Sequence, residues 1–256
     1  MTRRLIGLFA IFMCMAPLSQ ITAQEDTSVA PTETMEPVTD DEASVLIYGA
    51  TRNTGLELAK LLIARGDKVT AVVRPTSDRS GLEPLGVTIV EGDAMEPDSV
   101  KNIFAQGSYR AVVTTIACFS CEQPPDYIGN ANIFDGAKEA GISRVLLVTT
   151  IGAGDSADAP PWTAKWFLRK ILPLKTQAEE HLVASGADYT ILRPGGLVSK
   201  SATGNAYLTE DTSVTGVVTR ADVAQLLLDC LDDDATIGKI YSAVDSELKW
   251  PWAMIF

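Results

Sequence analysis

From Ser44 onward, the apolar positions of the chain fall into two alternating periods. Runs such as SVLIYG, KVTAVVR, YRAVVTTIA and SRVLLVTT are short, continuous and rich in β-branched residues, the pattern of buried strands. Between them lie TGLELAKLLIAR, EPDSVKNIF, DYIGNANIFDGAKEAG, KTQAEEHLVASG and TRADVAQLLLDCLDD, whose apolar residues recur three and four apart. That spacing predicts amphipathic helices. Strands separated by helices of this length predict an α/β domain with a parallel sheet covered on both faces. Right-handed crossovers then make the sheet doubly wound, with ligands held outside the carboxyl ends of the strands. No internal repeat is visible, and residues 44–256 read as a single domain.

Two segments interrupt the alternation. Residues 152–173, GAGDSADAPPWTAKWFLRKILP, mix glycine, proline and aromatics, and residues 199–216 are polar and turn-rich. In an open sheet of this kind both are expected over the ligand crevice as substrate loops. The end, KWPWAMIF, is apolar for a tail, and predicts docking on the domain surface or on a protein partner.

Charge separates the region before Ser44 from the rest. Residues 25–44 hold seven acids and no base, while the whole chain sums to -12. Residues 24–43 are rich in Pro, Thr and Ser and read as a disordered acidic linker. Residues 1–23 have a basic start, MTRR, an apolar run and a small-residue exit at Ala23. This is the layout of a cleaved signal peptide, with retention as an anchor the alternative, and it predicts an exported (periplasmic or secreted) protein without a stable membrane span after cleavage. Thr2-Arg3-Arg4 partly matches a twin-arginine leader. An acidic chain without a basic stripe argues against nucleic acid as a partner. CFSC at 118–121 has redox or metal-ligand spacing but lacks a second pair and a nearby His, so no metal site is expected.

The chemistry concentrates in VLIYGATRNTG, residues 45–55. A strand ends in Gly49, a small-residue loop follows, and a helix begins near Gly55, so that free amides at the helix start face a bound pyrophosphate. Together with EGD at 91–93, VLLVTTIGA at 145–153 and DYTILRPGGL at 188–197, this loop resembles that of the atypical short-chain dehydrogenases/reductases, the branch with NmrA-like and biliverdin reductase B-like NAD(P)H-binding proteins. The resemblance covers about residues 44–245 and implies a Rossmann-type fold. It assigns Gly49, Ala50, Thr51, Arg52, Asn53, Thr54 and Gly55 to the cofactor loop, with Gly49 allowing the sharp turn and Gly55 the close approach of the helix to the sheet, Asp93 to the adenine side, and Thr115 to the ribose and nicotinamide side. Pro194 would shape the nicotinamide pocket with rigid backbone. After the second strand, where an acid would accept from a ribose 2′-hydroxyl, this chain has Arg74. With Arg52 it predicts a grip on a 2′-phosphate, and NADP(H) as the cofactor.

The larger dehydrogenase family pairs a hydroxyl at the end of the fifth strand with Tyr-x-x-x-Lys. Thr149 or Thr150 fills the hydroxyl position and Lys175 the lysine position, but Ile171 stands where the tyrosine belongs. Thr150 and Lys175 are therefore the candidate catalytic residues for a reaction that needs no phenol. Hydride transfer to a flavin, quinone or other conjugated small molecule is of that kind, because the acceptor can take its proton from water. Trp162, Trp166 and Phe167 are candidate walls for such an acceptor. His181 reads as a helix-surface histidine, Tyr127 as packing and Arg193 as structural. CFSC reads either as a redox pair or as a local disulfide. Two main functions are weighed: an NADPH-dependent reductase, or a non-catalytic NADP(H)-binding sensor or assembly factor. A sugar-nucleotide epimerase is a third.

Overall fold

The computed structural model describes residues 43–249. The expected leader, all of the acidic linker but Ala43, and the tail beyond Lys249 lie outside the described residues. Within them the predicted alternation is present. The chain runs β1 (Ser44–Tyr48), α1 (Asn53–Arg65), β2 (Val69–Val73), β3 (Thr88–Glu91), α2 (Pro97–Gln106), β4 (Tyr109–Thr114), α3 (Ile128–Glu139) and β5 (Arg144–Val148). It continues through α4 (Trp162–Leu168), α5 (Leu172–Ser185), β6 (Asp188–Pro194), β7 (Gly196–Val198), β8 (Ala206–Thr209), β9 (Val217–Thr219), α6 (Arg220–Leu231) and β10 (Lys239–Asp245).

Eight strands form one sheet in the order β3-β2-β1-β4-β5-β6-β10-β8. All pairings in it are parallel except that of β10 with β8. The reversal of direction between β1–β3 and β4–β6 creates a topological switch point at the carboxyl ends of β1 and β4. A separate parallel ribbon pairs β7 with β9.

Alternation along β1 sends Val45 and Ile47 to one face and Leu46 and Tyr48 to the other. The first pair packs with Leu58 and Leu62 of α1 and with Val223 and Leu227 of α6. The second packs with Val100 and Ile103 of α2, Ile133 and Phe134 of α3, and Leu182 of α5. Helices α1, α2, α3, α5 and α6 each bury an apolar stripe against the sheet. Gly66 and Gly186 close α1 and α5 in the left-handed conformation, at φ 98° and 81°, which residues bearing a Cβ adopt only with strain. Thr219 caps α6 by accepting from the Asp222 N–H.

The polar segment 199–216 differs from expectation. Instead of a loose substrate loop it supplies β8, an edge strand hydrogen-bonded to β10 from Ala206 to Thr209. Its start is pinned by Asp222, which accepts from the Thr203 and Gly204 amides at 2.9 and 3.0 Å.

Candidate functional site

The loop after β1 is shaped by two close approaches. Gly49 lies at φ +88°, and a Cβ there would sit 2.6 Å from Thr115 Oγ1. A Cβ on Gly55 would sit 2.3 Å from the Gly49 carbonyl oxygen. Both glycines are therefore required by contact, and α1 is drawn against the end of β1. Arg52 precedes the helix in extended conformation, and no acid occupies the first turn. The first backbone hydrogen bond into α1 runs from the Leu56 N–H to the Arg52 carbonyl, so the amides of Asn53, Thr54 and Gly55 have no helical acceptor, as every helix start requires. A cradle of open amides, free of negative side chains, fits a dinucleotide pyrophosphate.

Around this loop opens a crevice of about 510 Å³, within the size range of small-molecule and cofactor sites. Gly49, Thr51, Arg52, Asn53, Thr54, Arg74, Asp93, Thr115, Thr150 and Lys175 all line it. Three expected residues do not. Ala50 is buried in the core beside α1, Gly55 is spent on the helix contact, and Pro194 is buried in β6, where its carbonyl accepts from the Ile151 N–H at 3.0 Å. Arg52 and Arg74 are both exposed, with no side-chain hydrogen bond or ion pair to another described residue. Arg79, just beyond, is instead bound to Glu91. Asp93 Oδ1 accepts from the Met95 N–H at 2.9 Å and holds its loop.

The opposite wall carries Lys175, Thr149 and Thr150. Lys175, although almost fully buried, faces the crevice, and its Nζ lies 3.0 Å from Asp126 Oδ1. Asp126 is held in turn, its Oδ2 accepting from the Cys118 N–H at 3.0 Å and its carbonyl from Asn130 Nδ2 at 2.8 Å. No aligned hydrogen bond reaches Oδ1, so the contact is a charge pair that leaves ammonium protons for a ligand. The two threonines divide their labour. Thr149 donates to Glu179 at 2.5 Å, and Glu179 also accepts from Arg193 Nε and Nη2 at 3.0 and 2.7 Å. Thr150 makes only a long 3.4 Å contact with the Pro194 carbonyl, leaving its hydroxyl available.

CFSC forms a disulfide between Cys118 and Cys121, with Cα atoms 5.5 Å apart. The bridged loop is part of the crevice wall and carries Phe119, 64% exposed, on that wall. The expected aromatic walls lie elsewhere: Trp162, Trp166 and Phe167 sit on α4, and none of them lines the crevice. His181 pairs with Asp135 of α3 at 2.8 Å, and Tyr127 packs edge-on against its ring. Both stay outside the crevice, as packing and surface residues.

Four contributors were missed from sequence. Asp126 and Phe119 come from a loop without periodicity; PPD before α3 was the only trace of the first. Arg220 enters from the start of α6, where it donates to the Leu197 carbonyl at 3.2 Å. Tyr48 is a phenol at the end of an otherwise aliphatic strand. Its buried hydroxyl has no partner among the described residues, and burial, with Tyr109 nearby, pushes its pKa above the usual tyrosine range. No group of three or more His, Cys, Asp or Glu among the described residues could hold a metal ion.

Comparison with known proteins agrees with this geometry. Residues 49–234 match the model of a family described as NAD(P)H-binding. Among solved structures, the anaerobilin reductase ChuY of Escherichia coli O157:H7 is similar, with a TM-score of 0.74 and 32% identity, over 82% of this chain and 100% of that one. An uncharacterised chloroplast protein of Arabidopsis thaliana is 29% identical over 212 residues, 78% of this chain and 76% of its own. The sanguinarine reductase of Eschscholzia californica is 31% identical over 121 residues, 45% of this chain and 43% of its own.

Proposed function

This chain belongs to the NAD(P)H-binding family, in the atypical branch of the short-chain dehydrogenases/reductases, and from that premise we propose that it is an NADPH-dependent reductase of a flat, conjugated small molecule. Flavins, quinones and tetrapyrroles are acceptors of the class meant. Bound in the crevice, the cofactor supplies a hydride. The residues of the chain then position the acceptor and accommodate the charge that the hydride brings.

Arg52 and Arg74 support the choice of NADPH over NADH, because two guanidinium groups on the crevice, without a side-chain partner among the described residues, favour a 2′-phosphate. Lys175, oriented by Asp126, offers its remaining N–H donors to the nicotinamide ribose, and its charge favours negative charge developing on the acceptor. Thr150 is placed to donate to an acceptor carbonyl. The observation that carries the reading is the combination of Phe119 on the crevice wall with Ile171 at the tyrosine position. An aromatic platform suits a flat ring system, and without a phenol the chain is equipped for acceptors that spread the incoming charge and draw a proton from water. The names of ChuY and of the sanguinarine reductase, both reductases, point the same way.

The test is NADPH oxidation by the purified protein with a panel of flavin, quinone and bilin acceptors, beside calorimetry of NADPH and NADH binding. Turnover with at least one acceptor is expected, and Phe119→Ala should raise its KM about ten-fold through the lost stacking. NADPH binding without turnover across the panel would sink the reductase and favour the non-catalytic NADP(H)-binding sensor.

A further inference from the structure

Helix α4 displays its aromatic residues to solvent. Trp162, Trp166 and Phe167 are 78%, 61% and 75% exposed, and no residue of the helix is buried. Three large apolar side chains together on an otherwise polar surface mark a place of contact. The segment's charge is opposite to that of the molecule. WTAKWFLRKI, residues 162–171, holds Lys165, Arg169 and Lys170 and no acid, in a chain whose net charge is -12. Asp158 lies 3.3 Å from Lys165 and offsets one of these charges. The Arg169 guanidinium stands over the Trp166 ring, 4.5 Å from its centroid, and Lys170 is exposed.

We propose that α4 is a membrane-surface anchor, on which Trp162, Trp166 and Phe167 enter the headgroup region of an anionic bilayer while Lys165, Arg169 and Lys170 meet lipid phosphates. Indole rings favour that interface because one part of the ring is apolar and its N–H is polar. Basic stems lie along the same depth and bring their charge to the phosphates. A bilayer also fits the patch better than a protein does. A stable protein interface buries roughly 800 Å² on each partner with shape complementarity, more than the exposed face of a single seven-residue helix presents. Headgroups accept each side chain without a matching surface. The contact lies on the membrane, since no helix among the described residues is long and apolar enough to cross one.

The experiment is flotation of the full chain with vesicles of phosphatidylcholine alone and with phosphatidylglycerol added. The expected result is binding that needs the anionic lipid, weakens with salt, and falls about ten-fold or more in a Trp162→Ala, Trp166→Ala, Phe167→Ala variant. That variant should keep its circular dichroism and NADPH affinity, since the three residues are exposed and lie outside the crevice. In a Trp250→Phe, Trp252→Phe background only the two α4 tryptophans remain, and their emission should shift to the blue on the same vesicles. Four results would each overturn the proposal. These are no vesicle binding by the full chain, equal binding by the triple variant, an unshifted emission, or a dimer that the triple variant dissolves while vesicle binding is absent.

Discussion

Helix α5 carries two buried ionic residues one turn apart, and their surroundings are built on opposite plans. Glu179 faces inward, and its two oxygens accept three hydrogen bonds, from Thr149 and from two nitrogens of Arg193. Arg193 then reaches Asp155 as well. Lys175 faces the crevice and has, among the described residues, one ion-pair partner, Asp126, whose nearer oxygen lacks an aligned hydrogen bond. Satisfied polar networks hold a shape; under-satisfied ones keep donors and acceptors in reserve for a ligand. The difference separates the scaffold of the crevice from its working face, although both sets are buried and both descend from the same helix.

The strongest way to break this contrast is to strand Glu179. Arg193→Met should cost about 3–5 kcal/mol of stability by leaving a buried carboxylate unpaired, while turnover per folded molecule stays near wild type. Thermal unfolding beside active-site titration checks both halves. The converse change removes Lys175 and, to avoid stranding a charge, its partner with it. Lys175→Met with Asp126→Asn should lower kcat/KM about 100-fold while losing much less stability than Arg193→Met. Equal stability losses in the two variants would erase the distinction.

The fold was legible because its signals are local and repeated. The β-branched runs that became β1, β2, β4 and β5, and the helical periods that became α1, α3, α5 and α6, stand in the sequence much as in the structure. So did the loop from Gly49 to Gly55, at whose two ends close contact leaves room for no side chain. Partners chosen in space were not legible. β8 joins β10 across a turn-rich stretch whose polar composition reads as a loop, and Asp126 meets Lys175 from a segment far upstream. The aromatic lid failed for a related reason: composition named Trp162, Trp166 and Phe167 as apolar, but only the path of the chain after β5 decides which way they face. Phe119, inside a motif read for its cysteines, took the place expected of them.

On the nucleotide side the same contrast predicts a smaller effect, because Arg52 and Arg74 are exposed and screened by solvent. Charge reversal of both to Glu should weaken NADPH binding about 30-fold, with NADH nearly unaffected, in calorimetry at low salt. Equal losses for both nucleotides would remove the 2′-phosphate from the account.

The smallest effect concerns a third buried acid. At Asp222 burial pushes the carboxyl pKa up, but hydrogen bonds from the Thr203 and Gly204 amides and the Thr219 and Thr203 hydroxyls outweigh it and hold the value below that of a free aspartate. A depressed folded pKa stabilises above the unfolded value, near 3.8, and that stability is lost as pH falls through the folded value. Asp222→Asn should therefore flatten the acid limb of a stability-versus-pH curve below about pH 4 and cost about 1 kcal/mol at neutral pH. Denaturant melts across that range check it.

The contact between Gly55 and the Gly49 carbonyl has a kinetic consequence. The curvature of the phosphate loop is enforced by packing of the chain against itself, so its amides are aimed before any nucleotide arrives. Little backbone freedom remains to be lost on association, and the loop needs no rearrangement to receive its guest. In stopped-flow mixing the observed rate should rise in proportion to nucleotide concentration without levelling off, as for a key entering a finished lock.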